Sequence, residues 1–326
     1  MGDKLPVDII AIRHGQSEGN VANRRSRNGD HSLFTPEFRN RHSRDFRLTD
    51  RGISQAKTAG DWLRQHDITP FDRYLVSDYI RAKETAVELA IPDAEWIVEY
   101  QLRERDTALM DNLSVEEKDR LYKHEVRAYK IDPFFSYPAG GGESFASFCL
   151  RIKTDVIAHL ARDYSSMKVG LVCYGHVMRA LQMELLNLGH DDFIRLENSQ
   201  DPKDKIHNGQ IMWYTRRNPE TKQIAGDRLY AWRSLCPWKP DETDTGWIKV
   251  ERKRFSKAMA LQVLDARAAR IAREQRFDLG NGTSQLAPRG TPEPEIARIQ
   301  RAVEYGRMKA FEDFANAIEE GFAFEA

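Results

Sequence analysis

Apolar and polar positions along the chain alternate between two patterns. Short runs rich in β-branched residues end in turns, and stretches with helical spacing follow them. Val7 to Ile12, Tyr74 to Val76 and Val169 to Cys173 are largely apolar runs of the kind that form buried strands. The second leads into a helical stretch from Asp78 to Ala90, the third into one from Val177 to Leu188. Strand followed by helix, repeated, predicts an α/β fold with three layers, α/β/α, around a mostly parallel sheet.

Between these lie further predicted helices. Thr49 is placed to cap one running from Asp50 to His66, with Ile53, Ala56, Gly60 and Leu63 along one face. Ser114 and Glu117 form a capping box ahead of a helix to Lys130. Phe145, Phe148, Ile152, Val156 and Leu160 make an amphipathic stripe. Gln210 to Arg216 and Arg228 to Arg233 read as two strands of an edge hairpin, turning around Asn218-Pro219.

The pattern changes from Ser256. Leu261, Leu264, Ala268 and Ile271 suggest one helix, and a Gly- and Pro-rich linker follows it. Ile299, Val303, Phe311, Phe314 and Ile318 suggest a last helix. The expected organisation is an α/β domain over 1–250 and a helical C-terminal arm over 251–326. The arm either folds back on the main domain or packs against a second subunit as a homodimer.

Composition narrows the function. The 326 residues carry 50 Lys and Arg against 50 Asp and Glu, so neither a nucleic-acid nor a membrane partner is expected from charge. No apolar run approaches the ~18 residues of a membrane span. The start, MGDKLPVDII, has neither a signal-peptide pattern nor the Ser or Thr at its sixth position that myristoylation uses. Cys149, Cys173 and Cys236 are far apart, which predicts no disulfide framework, no metal site of zinc spacing and a cytoplasmic location.

The chemistry concentrates where the first run ends, in Arg13-His14-Gly15-Gln16-Ser17-Glu18-Gly19-Asn20. Ligands of open α/β sheets bind outside the carboxyl ends of strands. An Arg fork can hold phosphate oxygens there, and a neutral imidazole can attack phosphorus. A strand-end His bonded only to backbone is the plainer alternative for His14. Arg81, one helical turn beyond the second run, can reach the same anion with help from the helix start. A positive charge in a helix's first turn is otherwise disfavoured by the helix dipole.

Five segments arrive in order: RHGQSEGN (13–20), LTDRGISQA (48–56), SDYIRAKETA (77–86), LRERD (102–106) and GGES (141–144). In these the chain resembles the histidine phosphatase superfamily, the phosphoglycerate-mutase-like proteins, over Ile9 to Tyr214. The resemblance implies a phosphomonoester hydrolase with a phosphohistidine intermediate at His14. Arg13 and Arg81 would neutralise the phosphoryl oxygens, with Asn20 and Ser17 as added donors. Glu104 would protonate the leaving oxygen and then activate water. A surface ion-pair cluster with Arg103 and Arg105 is the alternative for Glu104. The guanidinium groups would do a cation's work, so neither metal nor cofactor is implied. The implied partner is a phosphorylated small molecule.

One departure bears on activity. The family carries a second His at the end of the later strand, and alignment of Val177 to Ala180 puts Tyr174 in its place, with His176 two residues on. Losing a charged donor to a developing anion costs about 2.7–4 kcal/mol. Three outcomes stay open. His176 replaces the missing imidazole, Tyr174 serves as a weaker donor, or the site binds phosphate without efficient turnover, as a pseudoenzyme or scaffold. Arg24, Arg25, Arg27, Arg39, Arg41, Arg44 and Arg47 face only Asp30, Glu37 and Asp45 in the segment after Asn20. That basic insertion either recruits a highly anionic substrate or is a solvated loop. Gly19 stands where mutases of the family often carry Trp, which favours hydrolase over phosphomutase.

Overall fold

The computed structural model describes residues 4–251 together with Gln262 and Asp265. Its elements run β1 (Asp8–Arg13), α1 (Glu18–Arg27), α2 (Pro36–Asn40), α3 (Asp50–Gln65), β2 (Arg73–Val76), α4 (Ile80–Glu88) and β3 (Trp96–Val98). There follow α5 (Val115–Leu121), α6 (Lys123–Ile131), α7 (Phe145–Arg151), α8 (Ala158–Asp163), β4 (Lys168–Cys173), α9 (Gly175–Leu185) and α10 (His190–Asn198). The last are β5 (Ile211–Thr215), β6 (Ala231–Leu235), α11 (Pro240–Thr243) and β7 (Ile248–Lys249). The chain divides into two units at Lys253 and Arg254. The two amphipathic helices and the linker expected from Ser256 on lie outside the described residues.

The described strands form one seven-stranded sheet in the order β3-β2-β4-β1-β5-β6-β7. β3, β2, β4 and β1 run parallel, whereas β5, β6 and β7 add an antiparallel meander. This is a mixed sheet in a three-layer α/β arrangement. Crossovers between parallel strands are right-handed. The chain steps one way from β1 through β2 to β3 and then back to β4. The helices of the outward steps therefore cover one face and those of the return the other. Consistently, α3 packs on α4, and α7 packs on α9. Neighbouring strands β1 and β4 are thus followed by helices on opposite faces, and a crevice opens between their carboxyl ends.

The apolar runs account for the core. Ile9, Ile10, Ala11 and Ile12 of β1 and Val169, Leu171, Val172 and Cys173 of β4 are all completely buried. Strands covered on both faces need such continuous runs. Thr49 caps α3 through its side chain, and Ser114 and Glu117 form the expected reciprocal box at α5. The stripe from Phe145 to Leu160 is buried throughout. A π-helical turn, Ile152–Ile157, separates α7 from α8. Steps of four residues overshoot a 3.6-residue turn, and one wider turn brings Ile152, Val156 and Leu160 back into line.

Three elements differ from expectation. The helix foreseen from Ser114 to Lys130 breaks at Tyr122 into α5 and α6. Neither half has a buried residue, so no apolar face holds one long helix together. The foreseen hairpin forms as β5 and β6, but β6 begins at Ala231 and the two-residue β7 takes the sheet edge instead. α1 was not expected, because EGNVANRRSR has almost no apolar face.

Gly15 and Gly52 let the loop after β1 touch the first turn of α3. A methyl group on Gly15 would overlap the Gly52 carbonyl, and one on Gly52 would overlap the Gln16 backbone. Gly52→Ala is expected to destabilise the domain by about 1–3 kcal/mol, read as a lowered midpoint in urea denaturation. An unchanged midpoint would show that the two backbones can separate freely.

Candidate active site

The parallel strands set the site, because their carboxyl ends all point the same way. β1 ends at Arg13 with His14 following, and β4 ends at Cys173 with Tyr174 following. β2 leads to Arg81 in the first turn of α4, and the chain after β3 carries Glu104. His176 lies in the first turn of α9. Neither α4 nor α9 has a side-chain cap, so both present uncapped N-termini at this rim.

His14 is 2% exposed, and its Nδ1 lies 2.7 Å from the Gly15 carbonyl oxygen. A carbonyl can only accept, so Nδ1 carries the proton and Nε2 keeps its lone pair. Burial, then Arg81 and Arg13, holds the imidazole well below its ordinary pKa despite that bond. His14 is therefore neutral and nucleophilic at neutral pH.

The backbone around it has no donors to spare. The amides of His14, Gly15, Gln16, Ser17 and Glu18 donate to Cys173 O, Thr85 Oγ1, Gln55 Oε1, Asn20 Oδ1 and Arg47 O. An anion here must be held mainly by side chains. Arg13 donates from one terminal nitrogen to the Ile206 carbonyl at 2.6 Å, while its buried Nε has no acceptor among the described residues. Arg81 is 7% exposed and donates to the Ser43 carbonyl at 2.7 Å. Its guanidinium lies 4.6 Å from the Tyr174 ring centre and 5.0 Å from that of Tyr79. Neither arginine forms an ion pair among the described residues. Two cations, one buried and one half-buried, that are engaged in no ion pair among the described residues make a receptor for an anion.

Ser17 and Asn20 are committed in part to the fold. They form a reciprocal capping box at α1, and Asn208 also donates to Asn20 Oδ1 at 3.0 Å. What remains for a ligand is the Ser17 hydroxyl hydrogen and the Asn20 amide nitrogen. The Tyr174 ring lies 5.2 Å from that of His14, so it lines the site. Burial keeps its phenol neutral, and its hydroxyl donates to Ser77 Oγ at 2.9 Å. The proton that would make it a weak donor to phosphate is used there.

His176 meets Glu104, with Nδ1 3.1 Å from Oε1. Burial raises the Glu104 pKa, but His176, the Arg105 amide and Arg81 outweigh it and hold the carboxyl at about 2. Glu104 is thus an ionised carboxylate facing the site rather than part of a surface cluster. The basic insertion proves largely neutralised, by carboxylates within it and on neighbouring elements. Arg25, Arg39, Arg41, Arg44 and Arg47 pair with Asp30, Glu117, Glu18, Asp45 and Glu84.

Sequence reasoning did not single out Ser77, Tyr79 or Asn208. Asn208 supports the site by donating to the His14 carbonyl at 3.0 Å. Its one local signal is the Asn-Gly pair, whose Gly209 has φ +73°. No group of three or more His, Cys, Asp or Glu placed to hold a metal occurs among the described residues. No described helix is long and apolar enough to cross a membrane.

Known proteins resemble this chain in sequence and in fold. A 2,3-bisphosphoglycerate-dependent phosphoglycerate mutase of Methylobacterium sp. (strain 4-46) is 31% identical over 195 residues, 58% of this chain and 85% of that protein. The enzyme of the same name from Methylobacterium radiotolerans is 30% identical over 54% of this chain and 78% of its own. Among solved structures, the α-ribazole phosphatase of Shigella flexneri superposes with a TM-score of 0.51 at 20% identity, covering 65% of this chain and 92% of that one. With that fold and these relatives, and with the model of the histidine phosphatase superfamily (branch 1) matching residues 9–203, the chain belongs to that superfamily.

Proposed function

We propose that the protein is a phosphomonoester hydrolase that works through phosphohistidine at His14 without a metal. The observation that carries this reading is the state of His14. Its Nδ1 proton is fixed on the Gly15 carbonyl, leaving Nε2 free, with the Arg13 and Arg81 guanidinium groups beside it. Nε2 attacks phosphorus, Arg13 and Arg81 neutralise the charge growing on the phosphoryl oxygens, and the alcohol leaves. Water then attacks the phosphoryl-imidazole with Glu104 as base, and inorganic phosphate departs.

The named relatives are mutases, so transfer between positions of one substrate is the nearest rival. Gly19 supports hydrolysis instead. A Cβ there would lie 2.7 Å from the Phe46 ring, so the position a mutase fills with a large side chain is closed. A second reading, a phosphate-binding protein of impaired turnover, is favoured by Tyr174. A neutral phenol bonded to Ser77 supplies no charge where the family has an imidazole. The substrate is a phosphorylated small molecule, with the cytoplasm its expected setting.

Phosphate release from para-nitrophenyl phosphate is expected, and His14→Ala should abolish it. Arg81→Ala should lower kcat/KM by about 10²–10³-fold. Equal inactivity of wild type and His14→Ala across a broad substrate panel overturns the enzymatic reading. In that case Tyr174→His creating turnover would establish the binding-protein reading. Because the nucleophile's pKa is depressed, its neutral form persists as pH falls through 6.5. The acid limb of kcat/KM should therefore lie well below pH 6.5, and a fall centred there would contradict the assignment of His14.

A further inference from the structure

Glu104 poses a difficulty within the hydrolase reading. An alkoxide leaving group needs a proton, yet the carboxyl nearest the site carries none at neutral pH. The structure contains a second group that can supply one. His176 Nδ1 lies 3.1 Å from Glu104 Oε1, and its side chain is 44% exposed, open to exchange with water. Glu104 meets charged and polar groups on its other sides. Arg81 on α4 and Arg13 on β1 bear on it, and the Arg105 amide donates to Oε1 at 2.9 Å. The uncharged Phe145 ring of α7 packs against the imidazole, with centroids 6.2 Å apart.

We propose that His176 is the proton reservoir of the reaction and that Glu104 is the bridge through which its proton reaches the leaving group. The inference rests on the hydrolase reading of His14. In the first step the His14 nitrogen bonds to phosphorus and the phosphorus–oxygen bond to the alcohol breaks. The proton on His176 Nδ1 passes to Glu104, and Glu104 hands that same proton on to the departing alkoxide. His176 has given up one proton and the alcohol leaves intact. In the second step water adds to phosphorus, the phosphorus–nitrogen bond breaks, and the proton released by water returns through Glu104 to His176. Net consumption is one water per phosphomonoester, and both side chains regain their starting states. His176 acts through Glu104 and is a positioning residue in that sense. It replaces no phosphate-binding imidazole.

This role separates substrates by leaving group. An alkyl phosphate such as glycerol phosphate releases a strongly basic oxygen and needs the proton, whereas para-nitrophenolate is stable without one. His176→Gln keeps an amide donor for Glu104 but carries no exchangeable charge. It should lower kcat/KM for the alkyl phosphate by about 10²-fold and for the aryl phosphate only several-fold. Its alkyl-phosphate optimum should also move to lower pH, because a buried carboxyl freed of His176 regains a proton of its own as pH falls. Equal losses on both substrates, or no loss on either, overturn the proposal even where the hydrolase reading stands. A wild type inert toward both phosphates overturns the hydrolase reading, and the proposal with it. Thermal melting of His176→Gln, a change at a half-exposed position, separates loss of fold from loss of function, and Glu104→Gln should reproduce the alkyl-selective defect.

Discussion

Two guanidinium groups, Arg81 buried and Arg13 half-buried, that form no ion pair among the described residues are the constraint around which this site is organised. A buried ion normally needs a partner of opposite charge, and removal of one partner from such a pair costs several kcal/mol. Here the protein softens that cost without cancelling the charge. Arg81 lies beside two tyrosine rings and gives one N–H to a backbone carbonyl. Arg13 gives one N–H to another carbonyl and leaves its Nε unsatisfied. Burial together with Arg81 and Arg13 holds His14 neutral, whereas Glu104 is kept ionised chiefly by His176 and the Arg105 amide, with Arg81 adding to them.

The sheet order makes this convergence possible. Because β3, β2, β4 and β1 are neighbours and parallel, residues from 13 to 176 in the sequence arrive at one rim. The helices after β1 and β4 lie on opposite faces of the sheet, which opens the crevice at the His14 side of that rim. The antiparallel meander lies beyond β1, and the turn leading into it supplies Asn208, which anchors the His14 carbonyl. The backbone amides after β1 are spent on the fold, so recognition falls to side chains. In phosphate loops with free amides the division of labour is the reverse.

Much of this was legible in sequence, and the illegible part has a physical character. Arg13 and His14 could be read because a buried strand ending in charged residues is an anomaly that demands a ligand. Thr49 and the Ser114–Glu117 box could be read because a helix cap is a local bond between residues three apart. The Glu104–His176 contact could not, since 72 residues separate the pair and only the strand order joins them. Nor could the backbone carbonyl of Ser43, which has no sequence signature as a partner for Arg81. α1 escaped because its helical state depends on the Ser17–Asn20 cap and on no apolar stripe. β3 escaped because it has three residues, two of them exposed.

The segment that follows α1 has a mechanical consequence. It is moored to α4 at Glu84, which takes the Arg47 side chain and the Leu48 amide, and at Ser43, which props Arg81. It is moored to α5 as well, through Arg39 and Glu117. A molecule pressing on this strap from outside therefore pulls on the guanidinium that grips the phosphate. Insertions or deletions along the strap would retune the grip while leaving every residue of the pocket unchanged.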